Sequence, residues 1–199
     1  MNTTSDEVAE NSKNQTHNVK KHLLSVGDYT AMEELGLFHE KPNVELINGE
    51  IFDMAPIGPA HGSVVMQLTK RFVMAVKDSA IVSTQNPIQL GDLSQPEPDL
   101  CILHSSDDFY ATNGPKGVDV ILLVEVAQSS LAFDLTVKAR LYSAHKVVEY
   151  WLVDLPNKQL MVFKEPTKEG YATITTLKSP VTLYPDALPD IALDMTGLF

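Results

Sequence analysis

Apolar residues recur along this chain with two spacings, alternate positions and helical turns, and each predicts a kind of element. Residues 44–47 and 50–54 read as two strands joined by Asn48-Gly49, the dipeptide that most readily takes the positive φ angles of a type I′ turn. Before them a short helix is expected over 30–37, ending near Gly36. Over 60–77, Val64, Val65, Leu68, Phe72, Ala75 and Val76 share one face of a longer helix, with Lys70 and Lys77 opposite and His61 inside the apolar arc. Strands are predicted over 81–90, 99–103 and 118–126, separated by loops rich in Pro, Gly, Ser and Asp. A helix over 134–145 and an aromatic-rich buried strand over 149–154 come next. Residues 160–164 and 171–177, joined by 165–170, read as a surface hairpin, and a proline-punctuated stretch ends the chain. This order predicts α/β layering around one mixed sheet.

Composition alters that picture at the margins. A length of 199 residues suits one well-developed core, and 44% hydrophobic with 21% charged residues is the balance of an ordinary soluble globule. Residues 1–21, rich in Asn, Thr, Ser and Glu, are expected to form a disordered tail, leaving 22–199 as a single domain. The tail lacks the apolar core of a signal peptide, and no apolar run is long enough to cross a bilayer. Cys101 has no second cysteine to pair with, and between Leu100 and Ile102 it reads as a small buried hydrophobe. A cytoplasmic location is the expectation. The net charge of −11 weighs against a nucleic-acid partner, because phosphate neutralisation by Lys and Arg supplies most non-specific affinity. Lys70, Arg71 and Lys77 on one helix are the candidate local exception.

One residue breaks its pattern sharply. Glu125 stands near the end of the otherwise apolar run 118–126, where an ionised carboxylate must be paired, metal-bound or protonated. On the following helix, at 100° per residue, Lys138 falls inside the apolar stripe, with Leu135 and Tyr142 to one side and Val137 and Leu141 to the other, whereas Arg140 points outward. The two misplaced charges are expected to meet. Asp99 opens the strand 99–103 after Pro98 and shares a face with Cys101 and Leu103. Two carboxylates side by side, with a main-chain carbonyl such as that of Val126 and waters, suit Mg²⁺ or Mn²⁺.

These pieces resemble the Uma-type restriction endonuclease family, formerly a domain of unknown function, in the PD-(D/E)XK nuclease superfamily. The resemblance rests on 44–51, Gly58-Pro59-Ala60-His61-Gly62, Pro98-Asp99-Leu100, Leu123-Val124-Glu125-Val126, the helix with Lys138 and Leu141-Tyr142, and 149–154, in that order. It implies a restriction-endonuclease-like mixed sheet flanked by helices, with an N-terminal and a C-terminal hairpin added to the core. It further implies that Asp99 and Glu125 bind a divalent metal and that Lys138 takes the lysine role. The chain departs from the superfamily pattern in having Ala127 where the lysine usually follows the glutamate.

Each of these residues also has a plainer reading. Glu125 with Lys138 equally fits a structural ion pair, and Asp99 alone fits a turn residue after Pro98. His61 fits a satisfied core histidine, and the resemblance adds a site role, supporting another group or contacting phosphate. Glu45, between apolar Val44 and Leu46, fits a solvent-facing strand position, with the resemblance again adding a catalytic one. Tyr142, Tyr150 and Trp151 fit core packing better than base stacking. No glycine-rich phosphate loop, zinc spacing or nucleophile elbow is present. The expectation is a Mg²⁺- or Mn²⁺-dependent endonuclease acting on DNA, a homodimer by analogy. The alternative is a catalytically inactive nuclease-fold module acting in nucleic-acid binding or protein assembly.

Overall fold

The structure, a computed structural model, describes residues 20–40 and 43–199. The expected tail over 1–21 therefore lies, but for Lys20 and Lys21, outside the described residues. The first helix begins earlier than its apolar spacing indicates. Ser25 Oγ accepts from Asp28 N at 3.1 Å and Asp28 Oδ2 accepts from Ser25 N at 2.9 Å, so a reciprocal cap starts α1 at Val26–Glu34 rather than at residue 30. The hairpin of β1 (Val44–Ile47) and β2 (Glu50–Asp53) turns on Asn48 and Gly49, with φ of 51° and 78°.

Helix α2 (Pro59–Val76) buries Val64, Val65, Leu68, Phe72 and Val76, leaving Lys70 and Lys77 outward as its periodicity predicts. It covers one face of a six-stranded sheet ordered β3 (Ile81–Thr84), β4 (Leu100–Leu103), β5 (Val120–Ala127), β6 (Glu149–Asp154), β7 (Gln159–Thr167) and β8 (Gly170–Leu177). Every neighbouring pair is antiparallel except β5 with β6. That parallel pair needs a crossover, which α3 (131–144) supplies.

Because the sheet is covered on both faces, its central strands carry no exposed residue: all eight positions of β5 are buried. Leu122, Val124 and Val126 pack with α2, while Leu123 and Ala127 pack with Leu141 and Tyr142 of α3. Trp151 of β6 meets Phe72 with ring centroids 5.9 Å apart.

Three boundaries differ from expectation for local reasons. The strand predicted over 81–90 stops at Thr84, because Gln85 adopts φ 51° and turns its N–H to the carbonyls of Pro98 and Asp99. Residues 160–177 are no surface appendage. β7 is an interior strand with Leu160, Val162 and Phe163 buried, and its pairing with β8 runs through Pro166 and Tyr171, leaving Lys168 and Glu169 as the turn. The C-terminal stretch is also structural: β9 (Thr182–Leu183) pairs with β10 (Leu193–Asp194), and Leu193, Met195 and Leu198 are buried against the α2 side. Arg71 fastens it, donating to the carbonyls of Asp194 at 2.6 Å and Thr196 at 3.0 Å.

Candidate active site

At the end of the sheet where β5 leaves toward α3, five elements converge on a cavity of about 380 Å³. β1 contributes Glu45, the first turn of α2 contributes His61, and the residue before β4 is Asp99. β5 and α3 add Glu125 and Lys138. All five side chains proposed from the sequence thus line one site. Four of them are almost completely buried, with Glu45 at 4%, Asp99 at 8%, Glu125 at 4% and Lys138 at 2% exposure, and His61 is partly buried. For Glu45 this overturns the solvent-facing reading: β1 is buried on both sides, so alternation does not select an exposed face.

Lys138 is the hub. Its Nζ donates to Glu125 Oε1 at 2.9 Å and to Glu45 Oε1 at 3.1 Å, with Glu45 Oε2 at 3.0 Å. The angular step used to place it does not hold locally, since Asp134–Lys138 forms a π-helical segment between the α-helical pieces Leu131–Phe133 and Ala139–Ala144. Both Asp134 and Lys138 are buried there and both line the cavity.

Each of the paired carboxylates has one oxygen anchored and one lightly held. Glu125 Oε1 accepts from Lys138 and from Tyr142 Oη at 2.6 Å, while Oε2 receives only the Asp99 N–H at 3.3 Å. Asp99 Oδ2 accepts from Val126 N at 2.8 Å and lies 2.9 Å from His61 Nε2, while Oδ1 has Gln85 Nε2 at 3.4 Å. Oδ1 and Oε2 are therefore the atoms with lone pairs to offer a cation.

The charge balance points the same way. Four buried carboxyls, Glu45, Asp99, Glu125 and Asp134, surround one ammonium and one imidazole. Burial pushes Glu125 up to about 8 against the opposing pull of Lys138, and Asp99, Asp134 and Glu45 add to the rise. Glu45 and Asp134 are raised by burial too, with Lys138 opposing in both. Burial alone would lower Lys138, but Glu125, Glu45 and Asp134 outweigh it, and the ammonium stays charged. The hydrogen bond to Asp99 raises His61 despite burial.

Among the described residues no set of three or more His, Cys, Asp or Glu side chains forms a ready cage for a metal ion. The arrangement instead fits a divalent cation held by two carboxylate oxygens, with main chain and water completing the shell. Val126, whose N–H orients Asp99, brings its main chain to the cavity wall.

Sequence reasoning missed Asp134, Tyr142 as a site residue, Gln85 and Glu97. Asp134 stands four residues before Lys138, a spacing that brings both to one side of a helix and was the signal that could have found it. Tyr142 and Tyr150 are fully buried, as the packing reading holds, yet Tyr142 also fixes Glu125. Gln85 carried no signal inside a predicted strand. Glu97 lines the cavity and its N–H donates to Glu45 Oε1 at 3.3 Å.

Residues 26–196 match the sequence profile of the Uma2 family, described as "Putative restriction endonuclease". The structure resembles a crystal structure from Anabaena variabilis ATCC 29413 described as a "putative nuclease belonging to DUF820". The TM-score is 0.64 with 16% identity, over 83% of this chain and 96% of that one. At that identity the likeness establishes the restriction-endonuclease-like fold. No curated protein matches the sequence. Among the described residues no helix is long and apolar enough to cross a membrane.

Proposed function

Since the chain belongs to the Uma2 family, we propose that this cavity hydrolyses phosphodiester bonds in DNA with a divalent cation, Mg²⁺ or Mn²⁺. The observation that carries the reading is the pair Asp99 Oδ1 and Glu125 Oε2, two lightly held carboxylate oxygens beside a charged lysine. A cation held by Asp99, Glu125 and the Val126 carbonyl would supply Lewis acidity toward the phosphate and lower the pKa of the attacking water.

The chain's own residues have separable parts. Lys138, protonated and gripped by two glutamates, does not serve as a base; it aligns the nucleophile and stabilises negative charge developing on the phosphate. Glu45 and Tyr142 hold Lys138 and Glu125 in register. His61 holds Asp99.

Isothermal titration of Mg²⁺ and Mn²⁺ into wild type and Asp99→Asn tests the site, with plasmid cleavage by wild type and Lys138→Met testing the chemistry. The expected result is binding lost in Asp99→Asn and cleavage reduced at least 100-fold in Lys138→Met, with folding checked by circular dichroism. Binding that is absent from wild type both with and without DNA would sink the reading in favour of a non-catalytic module.

A further inference from the structure

A second cavity has a volume of about 490 Å³. The bend after β3 divides it from the first: Gln85 faces Asp99, and the next residue, Asn86, lines the second cavity. The second lining contains no carboxylate. It offers the amides of Asn86, Gln89 and Gln95, the rings of Phe109 and Tyr110, and Lys116 at the rim.

Three features define what fits. Gln95 Oε1 is shielded from solvent and accepts no hydrogen bond from the described residues, a costly state for a buried carbonyl oxygen. Asn86 commits its Nδ2 to Ser83 Oγ and the Thr84 carbonyl and so keeps only its acceptor oxygen, while Gln89 gives one N–H of Nε2 to the Gly91 carbonyl and keeps its oxygen and one N–H. Phe109, 75% exposed, presents an unpacked ring, set by consecutive left-handed residues (φ 51° and 61°) and by Tyr110 Oη donating to the His104 carbonyl at 2.8 Å. Asp108 and Asp119 lie close enough to Tyr110 to raise its hydroxyl after burial does, which disfavours a phosphate inside.

Hydrogen-bond acceptors beside an exposed aromatic ring suit a planar group that donates from its edge. Resting on the reading of the first cavity, we propose that the second holds the base of a nucleotide adjoining the cleaved phosphodiester. Phe109 is the stacking surface, and Gln95 Oε1 accepts from the exocyclic amino group of adenine or cytosine. The phosphate then lies outside, toward the first cavity.

Side-chain amide signals in ¹H–¹⁵N spectra of the full chain read this directly. Pentadeoxyadenylate is expected to shift the Asn86, Gln89 and Gln95 amides, pentathymidylate to bind more weakly, and dAMP to shift the same amides with lower affinity than the pentamer. Phe109→Ala, at an exposed position that does not threaten folding, is expected to weaken pentamer binding roughly 5- to 100-fold. Amides that stay still at saturating pentamer, or unchanged affinity in Phe109→Ala, would overturn the proposal. Titrating Mg²⁺ into the same sample separates the two readings through the Val126 N–H. Metal binding and DNA cleavage without amide shifts defeat the base site alone, whereas amide shifts without metal binding or cleavage defeat the reading of the first cavity.

Discussion

Lys138 Nζ pulls two buried glutamates toward ionisation against their burial, so its removal leaves them without a cation rather than merely deleting a contact. Lys138→Met is expected to cost about 3–5 kcal/mol at neutral pH, measured by urea unfolding. The pH trend follows from the carboxyls. A carboxyl whose folded pKa lies above its unfolded value holds a proton that the unfolded chain has lost, so stability falls as pH rises between the two values. For Glu125 that window runs from the ordinary carboxylate range to about 8. Wild type should therefore be less stable at pH 8 than at pH 5, and the variant should show the steeper decline; a flat profile for both would contradict the assignment. Glu125 and Lys138 were legible in the sequence because each charge interrupts an apolar pattern, whereas Asp99, a turn residue when taken singly, stood out only in combination with them. Glu45 was ambiguous because alternation assumes one wet face, which β1 lacks.

At the scale of elements, the β1–β2 turn places Glu45. Gly49 has φ 78°, and a Cβ there would run into Leu23. Gly49→Ala is expected to cost about 1–2 kcal/mol from backbone conformation alone, with the overlap added, read as a lowered midpoint in thermal unfolding. The turn itself was readable from Asn-Gly, as was α2 from its 3.6-residue period. What local pattern did not reveal were features decided by specific hydrogen bonds: the Ser25–Asp28 cap that starts α1, the left-handed Gln85 that ends β3, and the π-helical stretch in α3. Such bonds depend on partners remote in sequence or on side-chain reciprocity that hydropathy does not record.

Across the whole molecule the sheet separates two apolar clusters, so damage to one face should leave the other's chemistry in place. Phe72 is fully buried against Trp151 on the face opposite α3. Phe72→Ala is expected to destabilise by about 3–5 kcal/mol while leaving Mg²⁺ affinity within threefold of wild type at temperatures where the variant stays folded. The mixed α/β layering was legible from element order. The incorporation of β7 and β8 into the main sheet was not, because a hairpin's local pattern is the same whether or not a third strand borders it.

Lys138 contacts one glutamate 13 positions away and another 93 away. The exposed loop between β4 and β5 falls between these partners, with Glu45, His61 and Asp99 before it and Glu125 and Lys138 after it. A chain divided in that loop would make two fragments, each holding half of the charged cluster. If the cavity cleaves DNA as proposed, cleavage would then report the association of two proteins fused to those halves. Mixing the fragments is expected to restore Mg²⁺ binding that neither shows alone, and calorimetry of each half and of the mixture would check it.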